Sequence, residues 1–260
     1  MFKALNTAAT GMTAQALQSE VIANNIANSD TTAFKRSRAE FQDLLYQNEK
    51  DPGSATSSTT INPTGVQVGL GVKAVGSSRE HSMGAARPTG RELDVLVGGE
   101  GFFTIQKPSG EIAYTRDGSF KLDAEGKLVN GQGLPLVPEI TIPPGVRAIQ
   151  IAGDGTVTVS LNSNESQQLG QIQLTNFINP AGLQADGGSL FLQTPASGEA
   201  VTGNPGDQGF GRLEQKFLEA SNVNSVAEMT DLIRSQRLFE MNSKVIQTTD
   251  QMLSTLSQIK

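Results

Sequence analysis

The 260-residue chain has no cysteine and no tryptophan, one histidine and two tyrosines. Without cysteine there are no disulfides, no thiolate metal sites and no thiol nucleophile. Without tryptophan, and with aromatics at 5%, a stacking platform for sugars or bases is disfavoured. The one histidine, His81, lies between Glu80 and Ser82 in a stretch with loop character. With no identifiable partner it reads as a surface histidine rather than a catalytic base. No apolar run approaches the roughly 20 residues that a membrane-spanning helix needs. The charge balance, 20 Lys/Arg against 26 Asp/Glu, argues against nucleic acid as a partner. The start, Met1 to Lys3, leads almost directly into a helical pattern, without the charged, apolar and small-residue regions of a cleaved signal peptide.

Motifs for chemistry are equally scarce. Asp117-Gly118 and Asp154-Gly155 lack the alternating ligand spacing of a calcium loop and read as turns. Gly98-Gly99-Glu100-Gly101 precedes the apolar run Phe102-Phe103-Thr104-Ile105, whereas a phosphate cradle requires glycines opening a helix. No nucleophile–base pair or metal-ligand constellation emerges, so the expectation is a non-enzyme with no catalytic, cofactor or metal site.

What the chain does have is two long amphipathic ends. Leu5, Ala9, Met12, Ala16, Ser19, Ala23 and Ile26 recur at alternating spacings of four and three, a heptad seam of mostly small side chains. Asn24, Asn25 and Asn28 mark where this helix stops. At the other end Ser225 to Glu228 has the form of a capping box. Beyond it, Leu232, Phe239, Ile246 and Leu253 form one heptad column, and Leu238, Val245, Met252 and Ile259 a second. A third column, Ser235, Asn242, Thr249 and Leu256, is mostly small and polar. A helix of such length, roughly 50 Å at 1.5 Å per residue, exceeds what a small core covers. The expectation is a coiled-coil module made of residues 1–30 and 225–260. Residues 1–50 and 225–260 are each charge-balanced, so the net charge of −6 falls in the middle of the chain.

Between the ends, residues 31–65 read as a connector with an extended Ser/Thr-rich segment, and 66–224 as a β-rich outer domain. Strands are expected at Val66–Val72, Asp94–Val97, Gly101–Gln106, Ile112–Thr115, Ser119–Leu122, Lys127–Val129, Glu139–Ile142, Ala148–Ile151, Thr156–Leu161, Gly170–Phe177 and Ser189–Gln193. The overall class is α+β, with a mainly antiparallel sandwich or partly closed barrel in the middle.

Specific strings carry more information than periodicity. Asn24-Asn25-Ile26-Ala27-Asn28 followed by Phe34-Lys35-Arg36 resembles the N-terminal signature of bacterial flagellar rod and hook proteins. Glu219-Ala220-Ser221-Asn222-Val223-Asn224, with Arg237, Glu240, Asn242, Lys244 and Thr248-Thr249-Asp250, resembles the matching C-terminal signature. Gly101-Phe102-Phe103 and Tyr114 to Phe120 fit the same family, and the likeness spans the chain. One departure is Ala33, where the family commonly has glycine. The stretch after Phe41 to Gln47 and the run Gly65–Val72 resemble the extra segment that distinguishes the straight distal rod from the bent hook.

The resemblance implies a rigid, hollow helical homopolymer that transmits motor torque and encloses an export channel. It implies basal-body location, flagellar type III export without a cleaved signal, and contacts with proximal rod and hook subunits at the two ends and with surrounding bushing rings. Leu5, Met12 and Ile26 would pack against Leu232, Phe239, Ile246 and Leu253, with Leu238, Val245 and Met252 alongside, within and between subunits. Alternatives are a proximal rod or hook subunit, or a secreted β-rich enzyme or glycan-binding module with a helical anchor.

Overall fold

The computed structural model describes residues 2–51, 64–161 and 166–258. By backbone contacts the chain sorts into two units. One, the helical unit, comprises Met1–Ala27, Ser37–Arg79 and Asn224–Lys260; the other, the β unit, comprises Asn28–Arg36 and Glu80–Val223.

The helical unit contains α1 (Phe2–Ala27), α2 (Ser225–Gln258) and four strands: β1 (Ser37–Asp43), β2 (Tyr46–Lys50), β3 (Val66–Gly69) and β4 (Val72–Arg79). Both helices fall where the 3.6-residue periodicity put them. The start of α2 differs in detail. Asn224, not Ser225, is its cap, its Oδ1 accepting the amides of Val226 (3.1 Å) and Ala227 (3.2 Å). Glu228 is 1% exposed and is used elsewhere, so the expected capping box does not form.

The strands pair antiparallel, β1 with β4 from Ser37↔Arg79 to Asp43↔Val72, and β2 with β3 from Tyr46↔Gly69 to Lys50↔Val66. The Leu44 amide donates to the Gly71 carbonyl at 2.8 Å and joins the two pairs into one two-stranded ribbon. The strand expected over Val66–Val72 therefore breaks at Gly71, which has φ +117°, and a Cβ there would come within 2.2 Å of Thr10 Oγ1. The same hydroxyl accepts the Val72 amide at 3.3 Å, so α1 and the ribbon meet at a point that admits only glycine. α1 packs on α2 and also on β1 and β4. Such a ribbon is marginal alone, and α1 is its support. The β2 strand is exposed along its whole length.

The β unit is a set of antiparallel sheets with no closed barrel among the described residues. The largest has the strand order Gln184–Gly187, Leu190–Leu192, Ile112–Thr115, Phe102–Gln106, Leu174–Asn176, Val201–Gly203, with Leu136–Val137 also on Phe102–Gln106. Ala148–Ile151, Thr156–Ser160 and Ser166–Gln171 form a three-stranded sheet, and Val95–Gly98 pairs with Arg212–Gln215.

Adjacent side chains in a strand point to opposite faces, and Phe102 and Phe103 use both. Phe103 joins Val95, Val97, Phe120, Val157, Ile172 and Leu174 in the main core, while Phe102 joins Tyr114, Phe177, Leu183 and Phe191 in a second cluster. Both faces are thus covered, which is why this strand is a continuous apolar run. The expected strand Glu139–Ile142 is not one. Its carbonyl at Ile140 accepts the Leu128 amide (3.1 Å) and its Ile142 amide donates to Gly126 (2.8 Å), leaving only an isolated bridge, Lys127↔Thr141. The negative charge belongs to the β unit, which has 11 Lys/Arg against 17 Asp/Glu, whereas the helical unit has nine of each.

Candidate functional site

His81 is not a surface residue of an open loop. Its ring is half-buried, edge-on to Phe102 (5.6 Å between centroids) and Phe191 (5.3 Å), as part of the second aromatic cluster. Apolar rings on two sides explain why it is held inward. Among the described residues no group of three or more His, Asp or Glu side chains is placed to hold a metal ion.

The most concentrated chemistry in the β unit is a buried charge cluster joining three distant segments. Lys35 Nζ lies 2.5 Å from Glu219 Oε1, with both side chains at 0% exposure. It also donates to the Ser82 carbonyl at 2.8 Å. Arg116 lies 3.8 Å from the other carboxylate oxygen and stacks over Phe102, 5.2 Å from the ring centre. The Gly84 amide donates to Glu219 Oε1 at 2.9 Å, and the Ala33 amide to the Glu219 carbonyl at 2.8 Å. Burial lowers the Lys35 pKa, opposed by the charge and hydrogen bond of Glu219, while the Arg116 cation adds to the lowering. Burial also lowers the Arg116 pKa, against the attraction of Glu219 and Glu100. Two cations on one carboxylate make Glu219 the keystone: each is tolerable inside only because it is present. Sequence reading placed Lys35, Arg116 and Glu219 in three separate family strings but did not pair them, because nothing in a sequence pairs residues 184 apart.

Asn222 ties further strands of this unit. Its Oδ1 accepts the Arg36 amide at 2.7 Å, and its Nδ2 donates to the carbonyls of Glu80 (2.8 Å) and Ser82 (3.2 Å). Its own amide donates to the Phe34 carbonyl at 3.4 Å. Ser221 Oγ accepts the amide of Val223 (3.3 Å), and Asn28 Oδ1 accepts the hydroxyl of Thr31 (3.1 Å). Ala33, the departure from the usual glycine, has φ +56°.

In the helical unit, α1 and α2 run antiparallel. Asn25 donates to Glu228 Oε2 at 3.1 Å, Ser19 Oγ is 3.0 Å from Ser235 Oγ, Ser235 Oγ donates to the Gln15 carbonyl at 3.0 Å, and Gly11 faces Asn242. The contact line on α2 therefore follows the small polar column through Ser235 and Asn242. On α1, Ala8, Ala14, Ile22 and Asn25 are buried, whereas Ala16 and Ala23 of the expected seam are exposed. The helix is turned relative to that reading because it covers the ribbon as well as α2. Leu5, Met12, Ile26, Leu232, Leu238, Ile246 and Leu253 are half-buried, while Phe239, Val245 and Met252 are exposed. Arg237, Glu240, Lys244 and Asn24 also lie at exposed positions. Ile259 and the side chain of Leu256 lie outside the described residues, as do residues 52–63 of the expected connector.

Lys35, Glu219, Arg116, Asn222 and Asn25 thus tie together segments that are far apart in the sequence. Comparison with known proteins supplies the class. Residues 5–35 match the family model for flagella basal body rod proteins, residues 96–159 the flagellar hook protein FlgE/F/G D1 domain, and residues 214–259 the flagellar basal body rod FlgEFG protein C-terminal region. The chain is 52% identical over 260 residues to the flagellar basal-body rod protein FlgG of Caulobacter vibrioides, covering 99% of each. It is 46% identical to FlgG of Borreliella burgdorferi (100% and 99% covered) and 38% identical to FlgG of Bacillus subtilis (100% of each). The chain belongs to the flagellar basal-body rod protein family: it is a structural rod subunit of the flagellar basal body, not an enzyme.

Proposed function

We propose that the chain builds the straight distal part of the rod, a hollow helical homopolymer that carries motor torque to the hook around an export channel. The observation that carries this reading is the use of the polar column of α2 against α1. Leu232, Phe239, Ile246 and Leu253 lie about 50° to one side of that column, and Leu238, Val245 and Met252 about 50° to the other, at 100° per residue. Phe239, Val245 and Met252 remain 43%, 44% and 49% exposed. Burying each such side chain against another copy contributes roughly 1.5–3 kcal/mol, repeated at every subunit. Leu5, Met12 and Ile26 supply the matching surface of α1, and in the polymer the helices form a coiled-coil inner layer.

The β unit, which carries the net negative charge, forms the solvated outer wall facing the bushing rings. The connector, residues 47–65, wedges between layers and prevents sliding. Subunits reach the tip by the flagellar type III route and meet proximal rod and hook subunits at the two ends.

The test is polar substitution of the exposed columns, Phe239→Ser with Val245→Ser, in a strain lacking the wild-type gene. Secretion without rod assembly is the expected result; normal motility would remove the interface. Deleting residues 51–63 should yield a curved or slipping polymer, and a straight, stiff rod after that deletion would remove the wedge.

A further inference from the structure

The chain passes between its two units at four peptide links, 27/28, 36/37, 79/80 and 223/224. Each unit holds the links on its own side with one asparagine. In the β unit, Asn222 accepts from Arg36 at 2.7 Å and donates to Glu80 at 2.8 Å, while the Glu80 amide donates to the Arg36 carbonyl at 2.9 Å. The residue before the second link, the residue after the third and the residue two before the fourth thus form one hydrogen-bonded knot. In the helical unit, Asn25 accepts the Ser37 amide at 3.0 Å and donates to the Ser37 carbonyl at 2.9 Å and to Glu228 at 3.1 Å. Ser37 pairs with Arg79 in the ribbon. The end of α1, the residue after the second link, the residue before the third and the first turn of α2 form a second knot.

Asparagine suits this role because its amide presents a donor and an acceptor side by side without charge. Toward Ser37, Asn25 reproduces the paired bonds that a neighbouring antiparallel strand would make. At 1% exposure it does so away from water, where loss of a partner is most costly. A linker residue with unbound backbone turns about two soft dihedrals; the second and third links are bonded on both sides.

We infer that Asn25 and Asn222 are the torsional pins of the subunit, fixing the second and third links so that twist passes along them without slack. The inference rests on the rod reading.

The experiment uses Asn222→Ala, Asn25→Ala and, as a milder variant, Asn222→Asp, which keeps the acceptor for Arg36 and loses the donor for Glu80. Hydrogen exchange on the purified full chain reads the pins directly. Asn222→Ala should speed exchange at Arg36 and Glu80 at least tenfold, leaving Ile105 and Val157 unchanged. Asn25→Ala should do the same at Ser37. In cells the variants should assemble and swim in dilute medium but lose rotation in viscous medium, where torque is high.

Unchanged exchange at Arg36, Glu80 and Ser37 would overturn the pins, as would faster exchange with rotation under load equal to wild type. If Asn222→Ala is not secreted, Asn222→Asp is read on the same amides and the same viscosity series. Failure of the unaltered chain to support rod assembly would overturn the rod reading instead, so the two failures are distinguishable.

Discussion

Lys35 and Glu219, 184 residues apart in sequence, meet as an ion pair at 2.5 Å with neither side chain reaching solvent. With Arg116 3.8 Å from the same carboxylate, one anion serves two cations. Glu219→Gln keeps the shape but leaves Lys35 buried without its counter-charge and Arg116 with the attraction of Glu100 alone. It should cost about 3–5 kcal/mol, the usual penalty for breaking a buried pair from one side. Lys35→Met leaves Glu219 with Arg116 and the Gly84 amide and should cost less, about 1–3 kcal/mol. Urea midpoints for the two variants decide the order; a larger loss for Lys35→Met would contradict the keystone role of Glu219.

The lowered pKa of Lys35 has a defined sign for stability. Between its depressed value and the ordinary 10.5, the unfolded chain holds the lysine proton and the folded chain does not. Unfolding free energy therefore rises with pH through that window on account of this group, and the gain is lost as pH falls through the folded value. Lys35→Met should flatten the profile there. Comparing urea midpoints of the two proteins from pH 7 to 10.5 is the check, and parallel profiles would exclude the shift.

Gly11 makes room for Asn242 of the facing helix, since a Cβ at that position would lie 2.9 Å from Asn242 Nδ2. A large branched side chain cannot be absorbed by a small movement of Asn242. Gly11→Ile should separate α1 from α2 and raise amide exchange along α1, while the β unit keeps its protection. Gly11→Ala paired with Asn242→Ser should restore pairing. It should be at least as stable as wild type, because alanine is favoured over glycine in a helix by about 1 kcal/mol. If Gly11→Ile left α1 exchange unaltered, the close approach would not matter.

Ala33 holds φ +56° with its side chain 1% exposed. A left-handed conformation costs a non-glycine residue roughly 1–2 kcal/mol, and losing the buried methyl costs about 0.8 kcal/mol. Ala33→Gly should therefore stabilise slightly, by under about 1 kcal/mol. A thermal midpoint lower than wild type would show that the methyl contacts outweigh the backbone.

The two helices were legible because an amphipathic period repeated over 26 and 34 residues leaves few alternatives. Phe102–Gln106, Ile112–Thr115 and Thr156–Ser160 were legible as short apolar or alternating runs closed by turns. The ribbon was not. Tyr46–Lys50 is exposed on both faces, so it carries no alternation, and its support by α1 leaves no trace in its own composition. Arg212–Gln215 was missed for another reason: its partner, Val95–Gly98, lies more than a hundred residues away. On α2 the columns were visible, but which of them α1 meets was not, because periodicity fixes angles on one helix and not the rotation of its neighbour.

By itself the sequence determined where helices and many strands run, the absence of thiol and disulfide chemistry, and family-specific strings at both ends. These depend on local dihedral preference, side-chain period and composition, which act over a few residues. Tertiary structure alone decided that Glu219 balances Lys35 and Arg116, that Asn25 and Asn222 bind the chain links, and that α2 turns its polar column to α1. Each of these depends on desolvation and hydrogen-bond satisfaction among groups far apart in the chain, and such costs arise only once folding has brought those groups together and removed the water between them.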